Sequence, residues 1–213
     1  MKVALGFKAH SGWAALVVIG DSGKELQVVE RGRLELVDSD SSWAKQPYHA
    51  AEDLDPKSAQ KLVKRGTDAA YQGAQRELLA TVKSLRKQSH EILACVVLVP
   101  SPMPAWSVAE ILAVHIRMHK AEGVLFPDAL GRAADKCGLN LITIPEKQLS
   151  EYAEKVLATP LNDLTKQITK LGKTVGPPWG KDQKNAALAA LIGLKSVSTA
   201  SRGPSSRRAK PNR

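Results

Sequence analysis

Residues 92–100 read Ile-Leu-Ala-Cys-Val-Val-Leu-Val-Pro, an apolar run with no polar residue to mark an exposed face. A strand with one wet face alternates apolar and polar residues, so a run without alternation must be buried on both faces. The run is also too short to span a bilayer, which takes about 20 apolar residues. It therefore predicts a central strand of an α/β sheet with helices on each side.

The rest of the chain fits around that strand. Lys2–Lys8 and Ala14–Gly20 read as strands joined by the polar turn Ala9-His10-Ser11-Gly12. Asp21-Ser22-Gly23-Lys24 closes a hairpin to a third strand, Glu25–Val37. Asp38–Asp55 is polar and irregular, with Trp43 and Tyr48 as candidate anchors. Pro56–Gln88 predicts a long helix whose stripe Tyr71, Ala74, Leu78, Val82, Leu85 has the spacing of a buried face. Lys57, Lys61, Lys64 and Arg65 share another face and read as solvated surface. A helix over about Ser107–Glu122, which Pro127–Cys137 continues or restarts, leads through Gly138 to a fifth strand, Leu139–Ile144. Gln148–Leu157 is helical, and Thr159-Pro160 reads as N-cap and first residue of the next helix. Gly172–Gly180 is predicted as a loop before an Ala-rich last helix, Asp182–Leu194, which can approach a sheet closely.

Charge is unevenly placed along the 213 residues. Residues 196–213 carry Arg202, Arg207, Arg208, Lys210 and Arg213 and no acid, half of the net charge of +10. The Ser/Pro/Arg composition of this segment cannot build a core, which predicts one domain over 1–195 and a disordered basic tail over 196–213. A basic arm on a basic body favours polyanions, nucleic acid first, and protein partners second. The two cysteines, Cys95 and Cys137, fall in apolar or helical surroundings, the pattern of a reduced, cytoplasmic protein. The opening stretch is interrupted by Lys8 and His10, unlike a signal peptide, and no apolar run is long enough to be a membrane span.

Two segments carry a resemblance. Leu5-Gly6-Phe7-Lys8-Ala9-His10-Ser11-Gly12-Trp13 is similar to the opening strand and turn of RuvC-type Holliday-junction resolvases, which reads Leu-Gly-Ile-Asp-Pro-Gly before a Gly-aromatic step. Asp182-Gln183-Lys184-Asn185-Ala186-Ala187-Leu188-Ala189 resembles their closing Asp-x-x-Asp-Ala-x-Ala helix. The resemblance implies a ribonuclease H-like α/β fold: a mixed five-stranded sheet, three strands in an antiparallel meander and two linked by helices, flanked by helices. It also implies carboxylates on the first strand, the fourth strand and the last helix that hold two divalent metal ions for nucleic-acid cleavage. The corresponding positions here are Lys8, the carboxylate-free Leu98-Val99-Pro100-Ser101, Asp182 and Asn185. One carboxylate cannot hold two hard cations, which need several anionic oxygens. The expectation is a catalytically degenerate protein that binds nucleic acid through phosphates, with no catalytic residue, cofactor or metal. A nuclease or phosphotransferase with a rearranged site, or a protein-interaction module, are the alternatives.

On that fold, Lys8, His10, Ser11, Ser101, Lys181, Asp182 and Asn185 should gather at one sheet edge, the usual ligand crevice of α/β folds. Lys8 and Lys181 then serve as phosphate binders, with His10 as a further donor; in the bland alternative Asp182 is an N-cap paired with Lys8. Trp179 either stacks on a base or plugs the edge of the core. Arg202, Arg207, Arg208 and Lys210 of the tail complete the expected contacts. His115, His119 and Glu122 share a helix face, but no fourth ligand accompanies them, so they read as a surface that packs or binds a partner. Gly172-Lys173-Thr174 lacks the earlier glycine and preceding strand of a phosphate loop.

Overall fold

The computed structural model describes residues 1–38 and 40–200. Five strands, β1 (Lys2–His10), β2 (Trp13–Asp21), β3 (Leu26–Glu35), β4 (Glu91–Val99) and β5 (Leu141–Pro145), form one sheet in the order β3-β2-β1-β4-β5. β1, β2 and β3 pair antiparallel, while β4 runs parallel to β1 and β5 parallel to β4. The mixed sheet matches the sequence expectation, and the 92–100 run lies between two parallel neighbours.

The described residues form seven helices, α1 (Ser42–Lys45), α2 (Pro56–Lys87), α3 (Val108–Leu112), α4 (His115–Lys136), α5 (Leu149–Leu157), α6 (Leu161–Val175) and α7 (Lys181–Ala200), of which α2 and α4 cover one face of the sheet and α7 the other. Alternation along β1 divides the core. Val3, Leu5, Phe7 and Ala9 pack with the α2 stripe Ala74, Leu78, Val82, Leu85 and with Phe126 and Leu130 of α4. Ala4 packs on the other face with α7, where Ala186, Ala187, Ala189 and Ala190 are all buried. Gly6 is the closest approach: a Cβ there would lie 1.9 Å from the Ala186 carbonyl oxygen. Only a strand glycine under an alanine-lined helix permits that backbone-to-backbone contact.

Several local expectations shift. α4 passes through Pro127 without stopping, and the helical break falls instead between Leu112 and His115. Pro127 has no N–H to give the Gly123 carbonyl, so the helix continues there with one hydrogen bond fewer. Thr159 does not cap α6: its hydroxyl donates to the Leu157 carbonyl, and Glu154 accepts from the Leu161 N–H, with Pro160 outside the helix. α6 runs on to Val175, which shortens the expected loop. α7 continues to Ala200, so residues 196–200 are helical and the boundary predicted at 195 is not the end of the element. The tail arginines and Lys210 lie outside the described residues.

Candidate nucleic-acid interface

The sheet's C-terminal edge is where the parallel strands β1, β4 and β5 all end. Register links Lys8 to Leu98 and Leu98 to Ile144, so Glu146 lies two residues past Ile144 and directly after the last paired position, Pro145. That offset brings Lys8 Nζ to 2.6 Å from Glu146 Oε2. The two side chains are 17% and 34% exposed, between a surface pair and a buried one. Lys8 therefore does not pair with Asp182, as the bland reading of the sequence had it; the ammonium is committed to a carboxylate 138 residues away.

Asp182 meets His10 instead. One turn of α7 before Ala186, its Oδ2 lies 3.1 Å from His10 Nε2, off the axis of a hydrogen bond. The contact becomes an ion pair when the imidazole is doubly protonated. Asp182 is not the N-cap: α7 begins at Lys181, and the Gly180 N–H donates to the Gln183 side chain. His10 also stacks on Trp13, its cross-strand partner, with ring centres 4.4 Å apart. The Arg33 guanidinium lies 3.9 Å from the Trp13 ring centre and pairs with Glu35.

Lys8, His10, Ser11, Leu98, Pro100, Glu122, Gly123, Phe126, Pro127 and Glu146 line a pocket of about 250 Å³. A wider groove of about 420 Å³ shares Pro100, Gly123 and Glu146 with it and adds Ser101, His119, Lys120 and Lys147. Thus Lys8, His10, Ser11, Ser101 and Asp182 gather at one edge, as expected. Lys181 and Asn185 do not join them; they line a separate groove against α5 and α6, with Ser150, Leu164 and Lys184. The sequence-level pairing of Lys8 with Lys181 in one crevice is corrected accordingly. Lys120 and Lys147, both exposed, were missed; Lys147 comes two residues after the end of the last strand, which is the one signal that could have found it.

Trp179 is turned away from this edge. Its indole lies over Gly172, where a Cβ would fall 2.3 Å from the ring, and its Nε1–H donates to the Ile168 carbonyl. Arg31 of β3 fixes the segment before it by donating to the carbonyls of Gly176, Pro177 and Pro178. The indole plugs the junction of α6 with α7, the second of the two sequence readings, and is not a platform beside Lys8.

No protein-family model matches the sequence, and neither does any curated protein. Solved structures do match in shape. Thermus thermophilus RuvC aligns over 93% of this chain and 96% of its own, at 11% identity and a TM-score of 0.49. T. thermophilus RuvC in complex with a Holliday junction substrate aligns over 94% and 97%, at 11% identity and a TM-score of 0.50. The chain has the ribonuclease H-like fold of RuvC. At 11% identity the likeness is one of fold, so the chemistry of this RuvC-like edge rests on its own residues. At this edge Glu146 is held by Lys8, Asp182 faces His10, Glu122 is held by His49, and Asn185 lines another groove. No helix among the described residues is long and apolar enough to cross a membrane.

Proposed function

We propose that this protein binds nucleic acid through its phosphates at the C-terminal edge of the sheet and does not cleave it by the two-metal route. The observation that carries the reading is the Lys8–Glu146 pair. An ammonium stands at the end of β1, on the residue that the opening motif aligns with a metal-binding aspartate, and its charge already neutralises the nearest carboxylate. A divalent ion arriving there meets a like charge and one shared oxygen donor.

With Lys8 engaged, phosphate contacts fall to the exposed cations Lys120 and Lys147 along the wider groove and Lys181 in the first turn of α7, joined by Arg202, Arg207, Arg208 and Lys210 of the basic C-terminal sequence. His10 and Ser11 are further donors in the adjoining pocket. A RuvC of this fold has been seen with a Holliday junction, which makes a four-way junction the first probe, beside duplex DNA, single strands and RNA.

The test is a salt series. Each phosphate neutralised on duplex DNA contributes a slope of about −0.9 in log affinity against log salt. Removing residues 201–213 flattens the slope most, and Lys120→Ala with Lys147→Ala removes about two contacts more. Binding that does not respond to salt, or a slope unchanged by both alterations, rules the reading out in favour of a protein-interaction module.

A further inference from the structure

Three of the five histidines meet at one place beside the crevice, clear of the Lys8–Glu146 and His10–Asp182 contacts. His115 and His119 stand at i and i+4 at the start of α4, which puts them on one helical face. His49, in the 3-10 turn His49–Ala51 that follows α1, comes up against both. Its ring centre lies 5.2 Å from that of His115 and 4.6 Å from that of His119. One ring nitrogen from each of the three falls within 4.8 Å of the others. His115 Nε2 and His119 Nε2 are 3.1 Å apart. Two nitrogens on one tetrahedral zinc, each at about 2.05 Å, lie about 3.3 Å from one another.

What stands behind the rings matters as much. Glu122 is 4% exposed, and its carboxylate accepts from the His49 backbone N–H at 3.1 Å and lies 2.7 Å from His49 Nδ1. A buried carboxylate with no ammonium or guanidinium partner has a specific use for an Nδ1–H donor. It fixes the tautomer of His49 and leaves Nε2 free. Glu52 Oε1 lies 3.7 Å from His115 Nδ1 and biases that ring the same way. Carboxylates behind the Nδ1 atoms of His49 and His115, with the Nε2 atoms of His115 and His119 close together in front, give the support that orients histidines on a metal.

We propose that His49, His115 and His119 bind one borderline divalent transition metal, zinc in class, through their ring nitrogens, with Glu122 and Glu52 as positioning carboxylates. Three imidazoles with no protein oxygen among the ligands select against Mg²⁺ and Ca²⁺, which take oxygen donors. His115 and His119 are exposed, so the fourth position opens to water. The metal staples the β3–α2 connection, which carries His49, to the start of α4. The site borders the proposed nucleic-acid groove, since Glu122 also lines the crevice pocket and His119 the wider groove, but it uses none of Lys8, Glu146 or Asp182, and metal uptake is read separately from nucleic-acid binding.

The test uses the untagged full chain. Co²⁺ is added to the metal-free protein and followed by its visible d–d absorption, then displaced by Zn²⁺. One equivalent is taken up with a tetrahedral spectrum, and excess Mg²⁺ does not displace it. Saturating Zn²⁺ at about a hundredfold over Kd raises Tm by roughly 5–10 °C. His115→Ala and His119→Ala, at exposed positions that do not build the core, each remove the spectrum and the Tm rise. His49→Ala does the same, Glu122→Gln lowers affinity about 10- to 100-fold, and His90→Gln changes nothing. Absence of one-equivalent uptake overturns the proposal. So does uptake that survives His49→Ala, which reduces the site to an i, i+4 pair on one helix.

Discussion

On the α7 side of the sheet, backbone meets backbone. Gly6 lies under Ala186, and Gly193 is packed so closely that a Cβ there would fall 2.8 Å from a Val96 methyl. On the α2 and α4 side the same strands meet Leu78, Leu85, Phe126 and Leu130, and long side chains fill the gap. Close backbone contact fixes α7 against the sheet to within fractions of an ångström, so Asp182 is delivered to His10 by the rigid helix itself. Across the sheet, groups are delivered by side-chain reach: Tyr71 to Asp128 and Glu122 to His49. The strand–α7 contact tolerates no added volume; across the sheet the side-chain layer can absorb lost volume, although Gly73 of α2 meets the Leu36 backbone just as closely beyond the end of β3.

The largest expected effect tests that contrast. Gly6→Val drives a branched side chain into the backbone of α7 and costs more than about 5 kcal/mol, enough to leave no folded protein. Leu78→Ala on the opposite face leaves a cavity and costs about 3 kcal/mol, with the fold retained. Urea titrations followed by far-UV circular dichroism compare the two; a Gly6→Val protein as stable as Leu78→Ala breaks the distinction.

Most of the fold was legible because it rests on residues near one another in the chain. The unbroken 92–100 run placed the central strand, the 3.6-residue stripe of α2 placed its buried face, and the small residues of α7 foretold close packing. Pro127 left a continued and a restarted helix open, and α4 runs straight through it, because packing of Leu125, Phe126 and Leu130 decides what local propensity does not. The partners at the site were not legible. Lys8 finds Glu146 only through the β1-β4-β5 register, and no local pattern encodes a pairing across 138 positions. His49 sits in a polar stretch without periodicity, so nothing in the sequence set it beside His115 and His119.

A middle-sized effect sharpens the account of the edge. Lys8→Ala strips a half-buried carboxylate of its partner and costs about 1–3 kcal/mol. Adding Glu146→Ala restores part of that stability, and a double-mutant cycle reads the coupling. Strict additivity of the two losses means that the pair contributes nothing.

The smallest effect belongs to the face that positions by reach. Burial, then the hydrogen bond to Asp128, pushes the Tyr71 phenol from its ordinary 10.0 up to about 12. Both causes favour the neutral form in the folded protein. The stability linked to this proton is thus fully present below about pH 10 and is lost as pH rises towards 12. Tyr71→Phe costs about 1 kcal/mol at neutral pH and removes the latest phenolate absorbance from an alkaline titration. An unchanged titration means that the Asp128 contact does not hold the proton.

The central claim is that the chain's own ammonium stands where the fold's chemistry would call for a metal. It is tested most directly by incubating a labelled four-way junction with the wild-type protein in EDTA, Mg²⁺ or Mn²⁺, and reading bound fraction and strand breaks from the same samples. The account predicts equal binding in all three at matched ionic strength and intact strands throughout. Strand breaks that require Mg²⁺ or Mn²⁺ and disappear on Asp182→Ala would contradict it.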